Sequence, residues 1–237
     1  MNNKSKSNWN KKLMLSFSVC VLSATALHAQ KTYLQAGINL ANTSVSSNGN
    51  VDKNRVLNSF NVGFISAFPL SKTVNFETGL LLTGKGAKED RYYTASTTDN
   101  YTKRSINPIY LELPLNIAVK IPMDTKNALS LYGGPYVAAG ILGQVKGESK
   151  FLGVSSSFSN DVEFNNDDPF TSQQEGASNS RLRRFDTGLN FGAAFTLDKF
   201  IIKANYGLGL SKIGSNESNT NDNNKHRVLG FSVGFAL

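Results

Sequence analysis

The chain has one cysteine, one tryptophan and two histidines among 237 residues. A single cysteine cannot form an internal disulfide, so no disulfide framework exists. With so little His and Cys, neither a zinc site nor a cofactor is expected. No nucleophile–base pair is recognisable, and Gly84-Lys85-Gly86 and Gly207-Leu208-Gly209 are not complete phosphate loops. They read as strand glycines. The sequence therefore presents no enzyme and no catalytic, cofactor-binding or metal-binding residue. Beyond the first 29 residues no apolar run reaches the 18 residues a membrane helix needs. No linker of disordered composition separates two cores.

The scarce residues cluster at the start. Trp9, Cys20 and His28 all fall in residues 1–29, which read as a secretory signal peptide. Lys4, Lys6, Lys11 and Lys12 form its positive region. Leu13 to Leu27 is an apolar stretch broken by Ser and Thr, too short and interrupted for an anchor. Cleavage is expected near Ala29, leaving 30–237 as one domain. Val19 before Cys20 does not suit a lipoprotein site. Losing four lysines and no acid halves the formal net charge of +8. The remainder is scattered, and nucleic acid is not an expected partner.

What the chain does have is alternation. Ile109, Leu111, Leu113, Leu115, Ile117, Val119 and Ile121 are interleaved with Tyr110, Glu112, Pro114, Asn116, Ala118 and Lys120. This predicts a long β-strand with one wholly apolar face. The same period recurs at about 33–41, 57–68, 73–84, 128–142, 184–197, 199–211 and 227–237, giving eight strands. Leu, Ile, Val and Phe occupy one face. Gly, Asn, Ser and Thr occupy the other. A soluble sandwich or lipocalin-like barrel would bury the apolar face, but Gly on the opposite face suits the narrow interior of an eight-stranded barrel.

The connections alternate in length. Those after the second, fourth and sixth strands are short. Those at about 42–56, 85–104, 143–183 and 212–226 are long and polar. The expected fold is all-β: an eight-stranded antiparallel up-and-down transmembrane β-barrel with short periplasmic turns and long extracellular loops. Closure satisfies every backbone group in lipid and removes the sheet edges. Phe68, Phe76, Phe195, Phe200 and Phe235 lie near the short turns, as an interfacial aromatic girdle would, although Phe is also simply a good strand residue.

The inward charges are Glu77, Glu112, Lys120, Asp186 and Lys203. Charges in a filled lumen should pair. A lower cluster of Glu77 with Lys120 or Lys203 is expected. An upper cluster would join Glu112 and Asp186 to Arg184 or a loop arginine. Their role is structural. His226, at the edge of the last strand, is expected to be solvated. Segment 143–183 reads as a solvated polar loop whose acids lack calcium-loop spacing. Pro114 and Pro135 each remove a ladder donor, so a bulge or an unpaired position is expected at each, or a shorter fourth strand.

Several short motifs occur in order: Ala36-Gly37-Ile38-Asn39-Leu40, Glu77-Thr78-Gly79-Leu80 with Lys85-Gly86, Tyr110-Leu111-Glu112-Leu113-Pro114-Leu115, Tyr132-Gly133-Gly134-Pro135-Tyr136, and Arg184-Phe185-Asp186-Thr187-Gly188-Leu189. The ordered set resembles the PorT-like outer-membrane β-barrel domain family of Bacteroidetes. The resemblance covers nearly the whole chain after residue 29. It implies an integral barrel in the outer membrane, and some members are linked to protein secretion. One departure is the terminus: the chain ends in Leu237, where many such barrels end in an aromatic residue. The implied role is a non-enzymatic barrel whose loops or turns contact partners. The alternatives are an accessory part of a secretion or transport system, or a narrow pore. Outer-membrane lipids and lipopolysaccharide are the expected surroundings, with secretion or surface proteins as further partners. Arg181, Arg183 and Arg184 form a small basic cluster that lipopolysaccharide or water would face.

Overall fold

The computed structural model describes residues 31–47, 50–53, 56–93, 100–168, 170, 181–214 and 224–237; side chains at 45–47 and 50–53 are excepted. The expected signal peptide and its cleavage point lie outside the described residues. In chain order the strands are β1 (Lys31–Ser47), β2 (Asn50–Lys53), β3 (Leu57–Pro69), β4 (Val74–Gly84) and β5 (Ala87–Tyr92). There follow β6 (Tyr101–Pro122), β7 (Asn127–Phe151), β8 (Val154–Asp161), β9 (Glu163–Asn165) and β10 (Arg181–Arg183). The last three are β11 (Phe185–Leu197), β12 (Phe200–Gly209) and β13 (Lys225–Ala236). No helix among the described residues is long and apolar enough to cross a membrane.

Eight long strands carry the fold, all antiparallel to their neighbours. The ladder runs β6–β4–β3–β1–β13–β12–β11–β7, and β7 pairs in turn with β6. Each of the eight thus has a partner on both edges. The period-2 pattern settles which face looks where. Ile38 is 59% exposed and its neighbour Asn39 only 2%. Likewise Ile117 is exposed between buried Asn116 and Ala118. The apolar face is on the outside and the polar face is buried, the reverse of a soluble core. Two cross-strand aromatic pairs stand near the short turns: Phe68 with Phe76 at 6.3 Å and Phe200 with Phe235 at 5.3 Å between ring centroids.

Three expectations need correction. First, the fourth predicted strand is longer, not shorter, than its apolar run: β6 continues through Pro114. The bulge lies elsewhere, where Ile109 faces Leu142 and Tyr110 faces Gly140. The extra residue, Ile141, leaves both Ile141 and Leu142 facing outward. The prolines mark gaps in the ladders, the unpaired positions expected at them. That to β4 skips Leu113 and Pro114, and that to β7 skips Leu115, opposite Pro135, and Asn116. Register is unchanged across both gaps, because proline removes a donor without adding a residue.

Second, the long connections are partly sheet. β5, the upper half of β6, the upper half of β7 and β8 form a four-stranded extension beyond the long-connection end. A two-residue turn at Leu152-Gly153, with φ of +47° and +83°, joins β7 to β8.

Third, segment 143–183 is not simply a solvated loop. Val162 and Phe164 turn inward, and β9 pairs in parallel with β10. Val145, Val162, Leu182 and Ile213 form a buried apolar cluster, with Ile106 and Phe164 packed on it. The Phe164 ring meets Tyr110 edge-on at 5.7 Å. These few apolar residues, scattered through a polar segment without period, cap the interior.

Candidate functional site: the charged lumen

The inward positions of the eight strands converge on a buried polar network. At the long-connection end, Lys85 follows the last residue of β4 and turns inward. Its Nζ lies 2.8 Å from Glu112 Oε2 on β6 and 2.9 Å from Asp186 Oδ2 on β11. Tyr136 donates to the same Asp186 oxygen at 3.1 Å, and Ser211 donates to Asp186 Oδ1 at 2.6 Å. The ammonium also stands 3.9 Å from the centroid of the Tyr136 ring. The aromatic faces and carboxylates together replace the water that a buried cation loses. His226 lies beside this group. Its ring meets Tyr110 edge-on at 5.3 Å, with Nε2 3.3 Å from the Tyr110 hydroxyl.

Below this cluster runs a layer of amides. Asn190 donates to Glu112 at 3.0 Å, and Asn205 donates to Asn190 at 3.3 Å. Ser232 donates to Asn61, Asn61 to Asn39, and Asn39 to Thr83, each at 2.8 Å. Lower still, Lys203 Nζ is 3.3 Å from Glu77 Oε2 and 4.4 Å from the Tyr132 ring centroid. Tyr132, Tyr33, Ala118, Ala194 and Ile201 close the short-turn end as an apolar cluster.

The rings fit because glycine faces them. Tyr136 stands directly across from Gly188 and Tyr132 from Gly192. A Cβ at Gly192 would come within 2.4 Å of the Tyr132 ring. Among the described residues, a cavity of about 50 Å³ lies between the amides and the two charged clusters. That is room for a few water molecules, not a solute path.

Of the five interior charges expected from sequence, Glu77, Glu112, Asp186 and Lys203 are buried. Lys120 is half-buried and does not share the Glu77 ion pair. The upper carboxylates are joined by Lys85, not by an arginine. Arg184 is exposed and donates to the Phe164 carbonyl at 3.3 Å, while Arg183 is buried. His226 is 1% exposed, not solvated. Lys85 had one legible signal: it is two residues beyond inward-facing Thr83, so simple alternation continues it onto the inner face. Its flanking glycines hid this. Among the described residues no group of three metal-ligating side chains forms.

Inward charges that are paired, an outer wall of exposed aliphatics and strands paired on both edges define a membrane β-barrel class of protein. Residues 29–215 match the family model of the outer membrane protein beta-barrel domain, and the chain belongs to that family. No curated protein matches it. Among solved structures, Ail, the attachment invasion locus protein of Yersinia pestis, is 16% identical over 87% of this chain and 98% of its own, with a TM-score of 0.33. Neisserial surface protein A is 14% identical over 86% and 96%, with a TM-score of 0.35. The N-terminal β-barrel domain of Pseudomonas aeruginosa OprF is 11% identical over 87% and 97%, with a TM-score of 0.29. At these scores the likenesses carry no argument about residues or ligands.

Proposed function

We propose that the chain is a non-enzymatic, integral outer-membrane protein whose eight mutually paired strands close into an up-and-down transmembrane barrel. Its short turns would face the periplasm and its long connections the cell exterior, where they contact partners. The observation that carries this is the inverted pattern of burial: aliphatic and aromatic side chains out, paired charges and amides in. Such a surface needs a hydrocarbon solvent. Residues 1–29 serve as a signal peptide cleaved near Ala29, and 30–237 form one barrel domain. The order of short motifs supports membership of the PorT-like group of Bacteroidetes.

The five interior charges, together with Lys85, are structural in this reading. They fill and brace the lumen instead of conducting. The small lumen favours a partner-binding or accessory role, including service to a secretion or transport system, over a pore. Outer-membrane lipids and lipopolysaccharide surround the wall.

Orientation has a clean test, because the only cysteine is Cys20 in the cleaved segment. Ser157→Cys, on β8, should react with a membrane-impermeant maleimide on intact cells. Ser71→Cys, in the turn between β3 and β4, should react only after the outer membrane is permeabilised. The opposite pattern would overturn the reading.

A further inference from the structure

The outward face of the four-stranded extension continues the lipid-facing wall. Moving up from the apolar pair Ile109–Leu142, the next cross-strand row is Asn107–Gln144–Asp161. Above it, Lys88, Ser105, Lys146 and Ser159 lie side by side across β5, β6, β7 and β8. Neighbouring strands are about 4.8 Å apart, so the two ammonium-bearing residues flank a hydroxyl at a spacing of about 10 Å. No acid interrupts this row. It stands four residues above Leu142, about 13 Å along the strand, beyond the last apolar residues of the wall.

The row after that holds Asp90, Lys103, Glu148 and Ser157, in register. Tyr101 donates to Glu148 and lies 4.4 Å beneath Lys103 Nζ, so these side chains hold one another in place. Both rows border a cleft of about 1000 Å³, in which Asp90 and Glu148 of the upper row also take part and the acid-free lower row supplies Lys88, Ser105, Lys146 and Ser159. Cations alternating with hydroxyls match a phosphorylated sugar. The cations take the phosphate and the hydroxyls take ring hydroxyl groups.

We propose that the Lys88–Ser105–Lys146–Ser159 row binds the phosphorylated sugar headgroup of lipopolysaccharide in the outer leaflet. This rests on the orientation given above, since only a leaflet at the long-connection end can deliver that headgroup at this height. Arg181, Arg183 and Arg184 do not form this site: they lie outside the row, and Arg183 is buried.

The test uses the full chain refolded in detergent and titrated with rough lipopolysaccharide and with its dephosphorylated form. Wild type should prefer the phosphorylated form by about tenfold or more, as two charge-assisted contacts allow. Lys88→Gln/Lys146→Gln should lose that preference while keeping heat-modifiable migration in gels, which reports a folded barrel. Lys72→Gln/Lys126→Gln removes equal charge at the short turns and should keep the preference. The proposal is overturned if wild type does not discriminate, if Lys88→Gln/Lys146→Gln discriminates as wild type does, or if the short-turn control loses the preference equally. The cysteine-labelling pattern separates the two failures. Correct labelling without discrimination defeats this site alone, and inverted labelling defeats the orientation beneath it.

Discussion

Lys85 Nζ is 2.8 Å from Glu112 Oε2, and the same ammonium reaches Asp186 at 2.9 Å. One cation from the end of β4 thus ties β6 to β11 across the intervening β7. Removing it leaves two buried carboxylates facing each other. Lys85→Met should cost about 3–5 kcal/mol, the range for breaking a buried pair. Adding Glu112→Gln and Asp186→Asn should restore much of that loss. Urea unfolding in lipid vesicles checks both.

The lower pair behaves as a separate unit. Glu77→Leu and Lys203→Met should each destabilise the barrel by about 3–5 kcal/mol. The double variant should lose less than the sum, with a coupling of about 1–3 kcal/mol. If Glu77→Gln and Lys203→Met left thermal stability unchanged, the bracing role of the lumen charges would be wrong.

A glycine supports the upper cluster. A Cβ at Gly188 would lie 2.4 Å from the Leu208 carbonyl oxygen and 2.5 Å from the Tyr136 ring. Gly188→Ala should cost about 1–3 kcal/mol through overpacking. It should also disturb the Tyr136–Asp186 hydrogen bond. Denaturant midpoints measured in parallel with Tyr136→Phe, which removes that bond alone, separate steric from polar loss.

One pH effect belongs to a turn. In the β6–β7 turn Asp124 Oδ1 accepts from the Lys126 and Asn127 backbone N–H groups, each at 2.7 Å. These bonds hold its carboxyl below the usual carboxylate range. A depressed folded-state pKa gives stability that is present above the unfolded value and lost as pH falls through the folded one. Asp124→Ala should therefore be less stable than wild type at neutral pH and equal to it in strong acid. Paired denaturation curves at several pH values show whether the gap closes.

The filled lumen bears on transport. With the lumen crossed by paired charges, amides and tyrosine rings around a cavity of about 50 Å³, planar bilayers containing the protein should show no stable large conductance. A steady porin-like current would sink the filled-lumen reading.

The eight long strands were legible because alternation is a local property. Ile109 to Ile121 declares its two faces without any partner, and all eight strands appear at their apolar runs, with β6 and β7 extending eight and nine residues further at the long-connection end. Four of the five inward charges are buried for the same reason. The misses share another cause. Lys85 sits between two glycines that break the visible pattern, and its role exists only where β4, β6 and β11 approach. His226 looked like a loop-edge residue because nothing nearby in sequence announces Tyr110. The bulge at Ile109–Tyr110 comes from mismatched lengths of two strands. Neither strand records that mismatch alone.

Period and composition by themselves determined the eight long strands, their faces and the apolar wall, because each depends on a residue and its immediate neighbours. Tertiary structure alone decided which cation meets which carboxylate, how Val162 and Phe164 fold back as a cap, and that Lys88 and Lys146 fall in one row with Ser105 between them. Those relations need ladder register between distant segments, and register is a property of the pairing, not of either strand.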